Sequence, residues 1–294
     1  MSSTLFPPDF LTRLEYLSIM SKRVFRGQLM AQRRTLQSGS GIEFSEHREY
    51  APGDDLRYMD WNIYARHGDL LLKRFQEEQD LHVYLLLDCS RSMNFGVPGK
   101  FDLARQVAAA LAYVALADLD RISIVACAAG VVQELPTTRG TDRILSVLQF
   151  LERLETAGGD TNLTQSISEF LHRSPRAGLA VVLSDLFDPR GFEGALDQLR
   201  YRRFDVHVIQ LHAPAEANPG LLGDAELVDM ETGDIRRVTV TEHNLARYCR
   251  MFSEHQQAVR EYCQRHQLGC TQASTICRFD ELILGMMRTS AAVQ

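Results

Sequence analysis

Three short segments of this 294-residue chain gather side chains able to do chemistry. The first is LHVYLLLDCSRSMNFG, residues 81–96, where an apolar run ends abruptly in Asp88, Ser90 and Ser92. The second is AGGDTNLTQS, in which Gly158 and Gly159 lead into Asp160, Thr161 and Asn162. The third is GLAVVLSD, a further apolar run that ends in Asp185. Carboxylates, hydroxyls and carbonyls without a histidine form a hard-oxygen set. Such a set suits Mg2+, Mn2+ or Ca2+ and not zinc. The competing reading is plain turn capping, because Asp and Ser often bond backbone N–H groups at strand–loop–helix junctions.

An enzyme reading of the same residues makes Asp88 the nucleophile of a Mg2+-dependent phosphoryl transfer. Dehalogenase-type phosphatases want a second Asp two residues on, where this chain has Ser90. Receiver-like phosphoacceptors want a late lysine, and the last lysine here is Lys100. Ser90 lies in Cys-Ser-Arg-Ser and not in a Gly-x-Ser-x-Gly elbow, so serine-hydrolase chemistry is weaker still. The expectation is a protein that is not an enzyme.

These residues need strand ends to position them. Strand-like runs fall at 81–87, 121–127, 130–135, 178–184 and 205–211, and helix-like runs at 100–119, 140–154, 162–173 and 191–201. Strands alternating with helices predict an α/β fold with a mostly parallel sheet and helices on both faces. In such sheets ligands bind beyond the carboxyl ends of the strands, near a topological switch point. All three segments fall at those ends. A β-hairpin is expected near 225–240, then a long polar helix at 242–267, a strand at 270–275 and a closing helix at 278–288.

The first 80 residues read differently, as an N-terminal helix and β appendage. Residues 9–37 carry a partly helical apolar spacing (Leu11, Leu14, Leu17, Ile19), followed by Lys22, Arg23, Arg26, Arg33 and Arg34. IEFSEHREY and LLLKRFQEE resemble two strands separated by the turn residues APGDD. Arg48, Arg57 and Arg66 are expected to pair with Asp54, Asp55 and Asp60 as a structural clasp. Trp61, the chain's single tryptophan, is expected to pack beneath that clasp. The same stretch could instead be a docking surface for a partner.

Composition narrows the function classes. The chain is 45% apolar and 24% charged with a formal net charge of −6, which disfavours a nucleic-acid binder. No uncharged apolar run approaches the roughly 20 residues of a membrane-spanning helix, so direct membrane insertion is not expected. Cys89, Cys127, Cys249, Cys263, Cys270 and Cys277 lack any Cys-x-x-Cys unit, which argues against a zinc site or a disulfide scaffold. The N-terminus lacks a signal-peptide core, and a cytoplasmic protein is expected.

Two resemblances follow from these motifs. Asp-x-Ser-x-Ser after an apolar strand, a Thr in a Gly-rich loop and a later strand-end Asp resemble the metal-ion-dependent adhesion site of von Willebrand factor A domains. That resemblance implies a von Willebrand factor A-like, Rossmann-like domain over residues 81–290, after an appendage over 1–80. It implies a Mg2+ (or Mn2+/Ca2+) site formed by Asp88, Ser90, Ser92, Thr161 and Asp185, with one coordination position left for a partner's carboxylate. The loop carries Asp160 before Thr161, so either residue is a candidate to face the ion. Upstream, Arg48, Tyr50, Gly53, Asp54, Arg57, Asp60, Trp61, Ala65 and Arg66 resemble the signature of the bacterial family of domain of unknown function 58. Family genes commonly neighbour AAA+ ATPases of the MoxR type, which implies a non-enzymatic adaptor for such an ATPase.

Overall fold

The computed structural model describes residues 5–19, 43–76, 81–158, 161–173, 176–231 and 233–292. A helix over residues 10–19 (α1) comes first. Strand β1 (Glu43–Glu49), helix α2 (Trp61–His67) and strand β2 (Leu71–Gln76) follow. The chain continues through β3 (His82–Asp88), α3 (Lys100–Ala117), β4 (Arg121–Cys127), β5 (Val131–Arg139), α4 (Ile144–Arg153), α5 (Leu163–Arg173) and β6 (Leu179–Ser184). Next are α6 (Glu193–Tyr201), β7 (Asp205–His212), the single-turn α7 (Pro214–Ala217) and the strand pair β8 (Gly223–Val228) and β9 (Ile235–Val240). Helix α8 (Glu242–Arg265), β10 (Gly269–Ser274) and α9 (Phe279–Ala292) complete it. The chain divides into two compact units, residues 1–23 with 81–294, and residues 24–80.

The larger unit is built on a six-stranded sheet of order β10-β7-β6-β3-β4-β5. Every neighbouring pair is parallel except β4 and β5, which are antiparallel at one edge. A parallel strand covered on both faces must be apolar throughout, and Val83 to Leu87 of β3 are all buried. Tyr84 and Leu86 pack with Ile167 of α5, Leu196 of α6 and Val259 of α8. The alternate side chains of β3 point to the opposite face, where α3 lies on β3 and β4. Helix α3 is apolar on nearly all sides because α4 and α9 cover it in turn.

The N-terminal helix belongs to this larger unit and not with the rest of residues 1–80. Phe10, Leu14 and Leu17, at i, i+4 and i+7, form its buried face, whereas Leu11 and Ile19 are exposed. The Phe10 ring lies 4.8 Å from that of Phe279 in α9, and Gln106 Nε2 of α3 donates to the Leu5 carbonyl at 2.9 Å. The basic residues 22–34 lie outside the described residues.

In the smaller unit β1 and β2 pair antiparallel, as their alternation suggests. The segment between them is more than a turn, since it contains helix α2. Asp60 starts that helix by accepting from Asn62 N at 3.0 Å and Ile63 N at 3.3 Å. Gly68 ends it in the left-handed conformation at φ 77°. The clasp forms in part. Arg48 pairs with Asp54 and Arg57 with Asp55, each at 2.6 Å, and Gly53 adopts a φ of 105° in the turn. Asp60 departs from expectation: its partners are His47 at 3.1 Å and Lys73 at 3.3 Å, not Arg66. Burial works against its charge, but these hydrogen bonds outweigh it and hold the carboxyl down at about 2. Trp61 does not pack beneath the clasp. It is 59% exposed, as the first residue of α2, with its ring edge-on to Tyr64 at 6.2 Å.

Candidate functional site

Chain order places the site. From β3 the chain moves to β4 on one side, then returns past β3 to β6 on the other. The carboxyl ends of β3 and β6 are therefore the switch point, where the connections diverge and leave a crevice. Asp88 is the last residue of β3, and Asp185 follows the last residue of β6.

Both carboxylates are buried, Asp88 at 2% exposure and Asp185 at 1%. Asp88 Oδ1 accepts from Ser90 N at 2.9 Å, and its Oδ2 accepts from Ser184 Oγ at 2.5 Å. Asp185 Oδ1 accepts from Phe187 N at 3.1 Å. Burial and the charge of Asp185 push the Asp88 carboxyl up to about 6, against the hydrogen bonds from Ser184 and Ser90. Ser90 is fully buried, and its Oγ lies 3.0 Å from Ser92 Oγ.

The Gly-rich loop between α4 and α5 is held against these strand ends by its own backbone. Ala157 N donates to Cys89 O at 2.7 Å, and Asn162 N to Ala128 O at 3.0 Å. The loop after β6 adds to this. Asp188 Oδ2 accepts from Leu163 N, the first residue of α5, at 2.7 Å, and Arg190 Nη1 donates to Thr161 O at 3.1 Å. A Cβ at Gly158 would lie 2.7 Å from Arg91 Nη2, the far end of a flexible side chain. Asp160 lies outside the described residues. Thr161 is buried and described, and its hydroxyl donates at 3.1 Å to Glu231 Oε1.

Asp88, Ser90, Ser92, Thr161 and Asp185 therefore lie at, or in the loops beside, the carboxyl ends of β3 and β6. Among the described residues, no three His, Cys, Asp or Glu side chains form a metal cluster. Cys89, although adjacent, is no reactive thiolate. Burial and the Asp88 charge push its thiol up to about 12.

Residues 46–259 match the family described as Protein of unknown function DUF58. The chain belongs to that family. Uncharacterized proteins of Mycobacterium tuberculosis and Mycobacterium bovis are each 27% identical to it over 237 residues, 79% of this chain and 74% of theirs. Among solved structures, the conserved hypothetical protein BatB from Bacteroides thetaiotaomicron aligns at a TM-score of 0.45 and 16% identity, over 73% of this chain and all of that one. An aerotolerance-related membrane protein from Bacteroides fragilis aligns at a TM-score of 0.43 and 15% identity, over 71% of this chain and 99% of that one.

This DUF58 member places residues in the crevice that sequence reasoning had not nominated. Lys100, at the start of α3, is fully buried, with Nζ 2.7 Å from Asp185 Oδ2 and 2.5 Å from Glu216 Oε1. Burial lowers the pKa of its ammonium, but the two carboxylates outweigh it and the net shift is upward, so Lys100 is charged. Glu231 arrives from the β8–β9 turn and accepts from Ser92 N at 3.1 Å. An apolar helix that begins with lysine was a usable signal for the first. Nothing in the local sequence marks the second.

Proposed function

We propose that this DUF58 protein is a non-enzymatic protein-binding module. Its larger unit is read as a von Willebrand factor A-like domain with a metal-ion-dependent adhesion site. Mg2+ or Mn2+ would be held by the hydroxyls of Ser90, Ser92 and Thr161, with Asp88 and Asp185 binding directly or through water. The observation that carries this reading is the 3.0 Å separation of Ser90 Oγ and Ser92 Oγ. An octahedron with Mg–O bonds of about 2.1 Å has edges of about 3.0 Å, so the two hydroxyls suit adjacent ligands. The donor chemistry fits as well, being all oxygen and rich in neutral hydroxyls. A further sign is Glu231 Oε2, which is buried without a hydrogen-bond partner among the described residues. Among the described residues, Asp88 and Glu231 form no ion pair of the kind Asp185 makes with Lys100, and a divalent ion would offset their charge.

When bound, the ion supplies a Lewis-acidic position that accepts a carboxylate from another protein. The chain's own residues do the rest. The β3 and β6 ends fix the aspartates, the Ser184 hydroxyl orients Asp88, and Arg190 with Asp188 holds the Thr161 loop. The partner proposed is an AAA+ ATPase of the MoxR type, the association that family membership implies, in the cytoplasm. The smaller unit would contribute a second contact through exposed Leu56, Arg57, Trp61 and Tyr64. Capture of such an ATPase by the immobilised protein tests the reading. Binding should fall on adding EDTA and in Ser92→Ala. Capture indifferent to both would overturn it.

One observation keeps a second reading in view. Lys100 gives the crevice the buried cation that a Mg2+-dependent aspartyl-phosphate enzyme would use. Against it, both oxygens of Asp88 already accept hydrogen bonds inside the protein. Asp88-dependent turnover of a generic phosphoester would favour this alternative.

A further inference from the structure

The β8–β9 hairpin stands outside the six-stranded sheet, and its strands are largely exposed. Leu227, Val228, Met230 and Ile235 all face solvent, so apolar burial does little to hold it down. A two-stranded hairpin on its own is marginal in water. Yet its turn is well made. Gly233 N donates to Asp229 O at 2.8 Å, Asp229 N donates to Asp234 O at 2.9 Å, and Asp229 Oδ1 accepts from Glu231 N at 2.8 Å. Gly233 takes a φ of 78°, which suits it to the tight return.

That turn delivers one side chain to the crevice. Glu231 Oε1 accepts from Ser92 N and from Thr161 Oγ1, each at 3.1 Å. Ser92 and Thr161, two of the residues proposed to hold the ion, are thus bridged by a carboxylate 139 and 70 positions further along the chain, one that belongs to neither β3 nor the Thr161 loop. Its second oxygen is buried and has no hydrogen-bond partner among the described residues, an arrangement that costs free energy unless something else engages it.

We infer that Glu231 is an intramolecular ligand of the adhesion site. It supplies in cis the carboxylate that a partner would otherwise bring, and the hairpin is a latch closed by the cation. The inference rests on the adhesion-site reading and adds its regulation. A partner must then present an acidic side chain on a protruding turn, and must displace Glu231 to enter.

Amide hydrogen exchange over residues 223–240 tests this, comparing full-length wild type and Glu231→Gln in Mg2+ and in EDTA, with Mg2+ binding followed by calorimetry. Mg2+ should bind the wild type and, more weakly, Glu231→Gln; at saturating Mg2+ hairpin exchange should slow by at least about tenfold in the wild type and stay unchanged in Glu231→Gln. Unaltered exchange at residues 83–87 confirms that the variant is folded; should it misfold, the Mg2+-against-EDTA comparison on the wild type carries the test. If Mg2+ binds the wild type without slowing its hairpin, or slows both hairpins equally, the latch is overturned and the adhesion site stands. If the wild type binds no Mg2+, both fall.

Discussion

Lys100 Nζ and Asp185 Oδ2 lie 2.7 Å apart with both side chains removed from solvent. The pair ties the start of α3 to the end of β6, and Glu216 extends it to α7. It also sets a condition on the crevice. Asp185 already has a cation, so a divalent ion there must share it with Lys100 or rely on the other donors.

Removing the lysine tests how far the fold depends on this pair. Lys100→Met leaves the buried Asp185 and the partly buried Glu216 without their shared cation, and breaking a buried pair in this way costs about 3–5 kcal/mol. Urea denaturation should show a loss of that size. The double variant Lys100→Met/Asp185→Asn should recover part of it. A single-variant loss under about 1 kcal/mol, typical of an exposed pair, would contradict the buried network.

Gly178 precedes β6, where its neighbour is backbone and not a side chain. A Cβ there would lie 2.2 Å from the His82 carbonyl oxygen, a contact that no rotamer change relieves. Gly178→Ala should destabilise by about 1–3 kcal/mol, the range for forced overpacking. Gly220 has open space around it, so Gly220→Ala serves as the control and should melt within error of the wild type. Equal melting temperatures for the two variants would refute the register of β6 against β3.

Burial on β7 pulls the His207 imidazole from its ordinary 6.5 down to about 4. The folded state thus binds fewer protons than the unfolded state between those values. Stability from this group is complete above about pH 6.5 and is lost as pH falls toward 4, by at most about 3 kcal/mol. Urea midpoints measured from pH 7.5 to 4.5 should fall more steeply for the wild type than for His207→Asn. Parallel curves would show that His207 is not responsible.

Much of the larger unit was legible because parallel strands must be apolar along their whole length. The 81–87 run became β3, and the abrupt change at Asp88 located the strand end that carries the site. The helix 162–173 and the hairpin near 225–240 were likewise visible, from periodicity and from turn residues around Gly233. Helix α2 was not, although Asp60 before it and Gly68 after it are its capping signals. Seven residues give too short a period to stand out between two strands. The partners of Asp60 escaped notice because His47 and Lys73 meet it only through strand pairing. Glu231 was illegible for the same kind of reason. Its contacts with Ser92 and Thr161 span 139 and 70 residues, and no local pattern encodes an approach of that length.

Calorimetric titration of the wild type and Asp88→Asn with Mg2+ tests the central claim most directly. The wild type should bind saturably at one site, and the variant, which keeps the shape of the side chain but not its charge, should bind about 10–100-fold more weakly. A wild type that takes up no Mg2+, or a variant that binds equally well, would contradict the account.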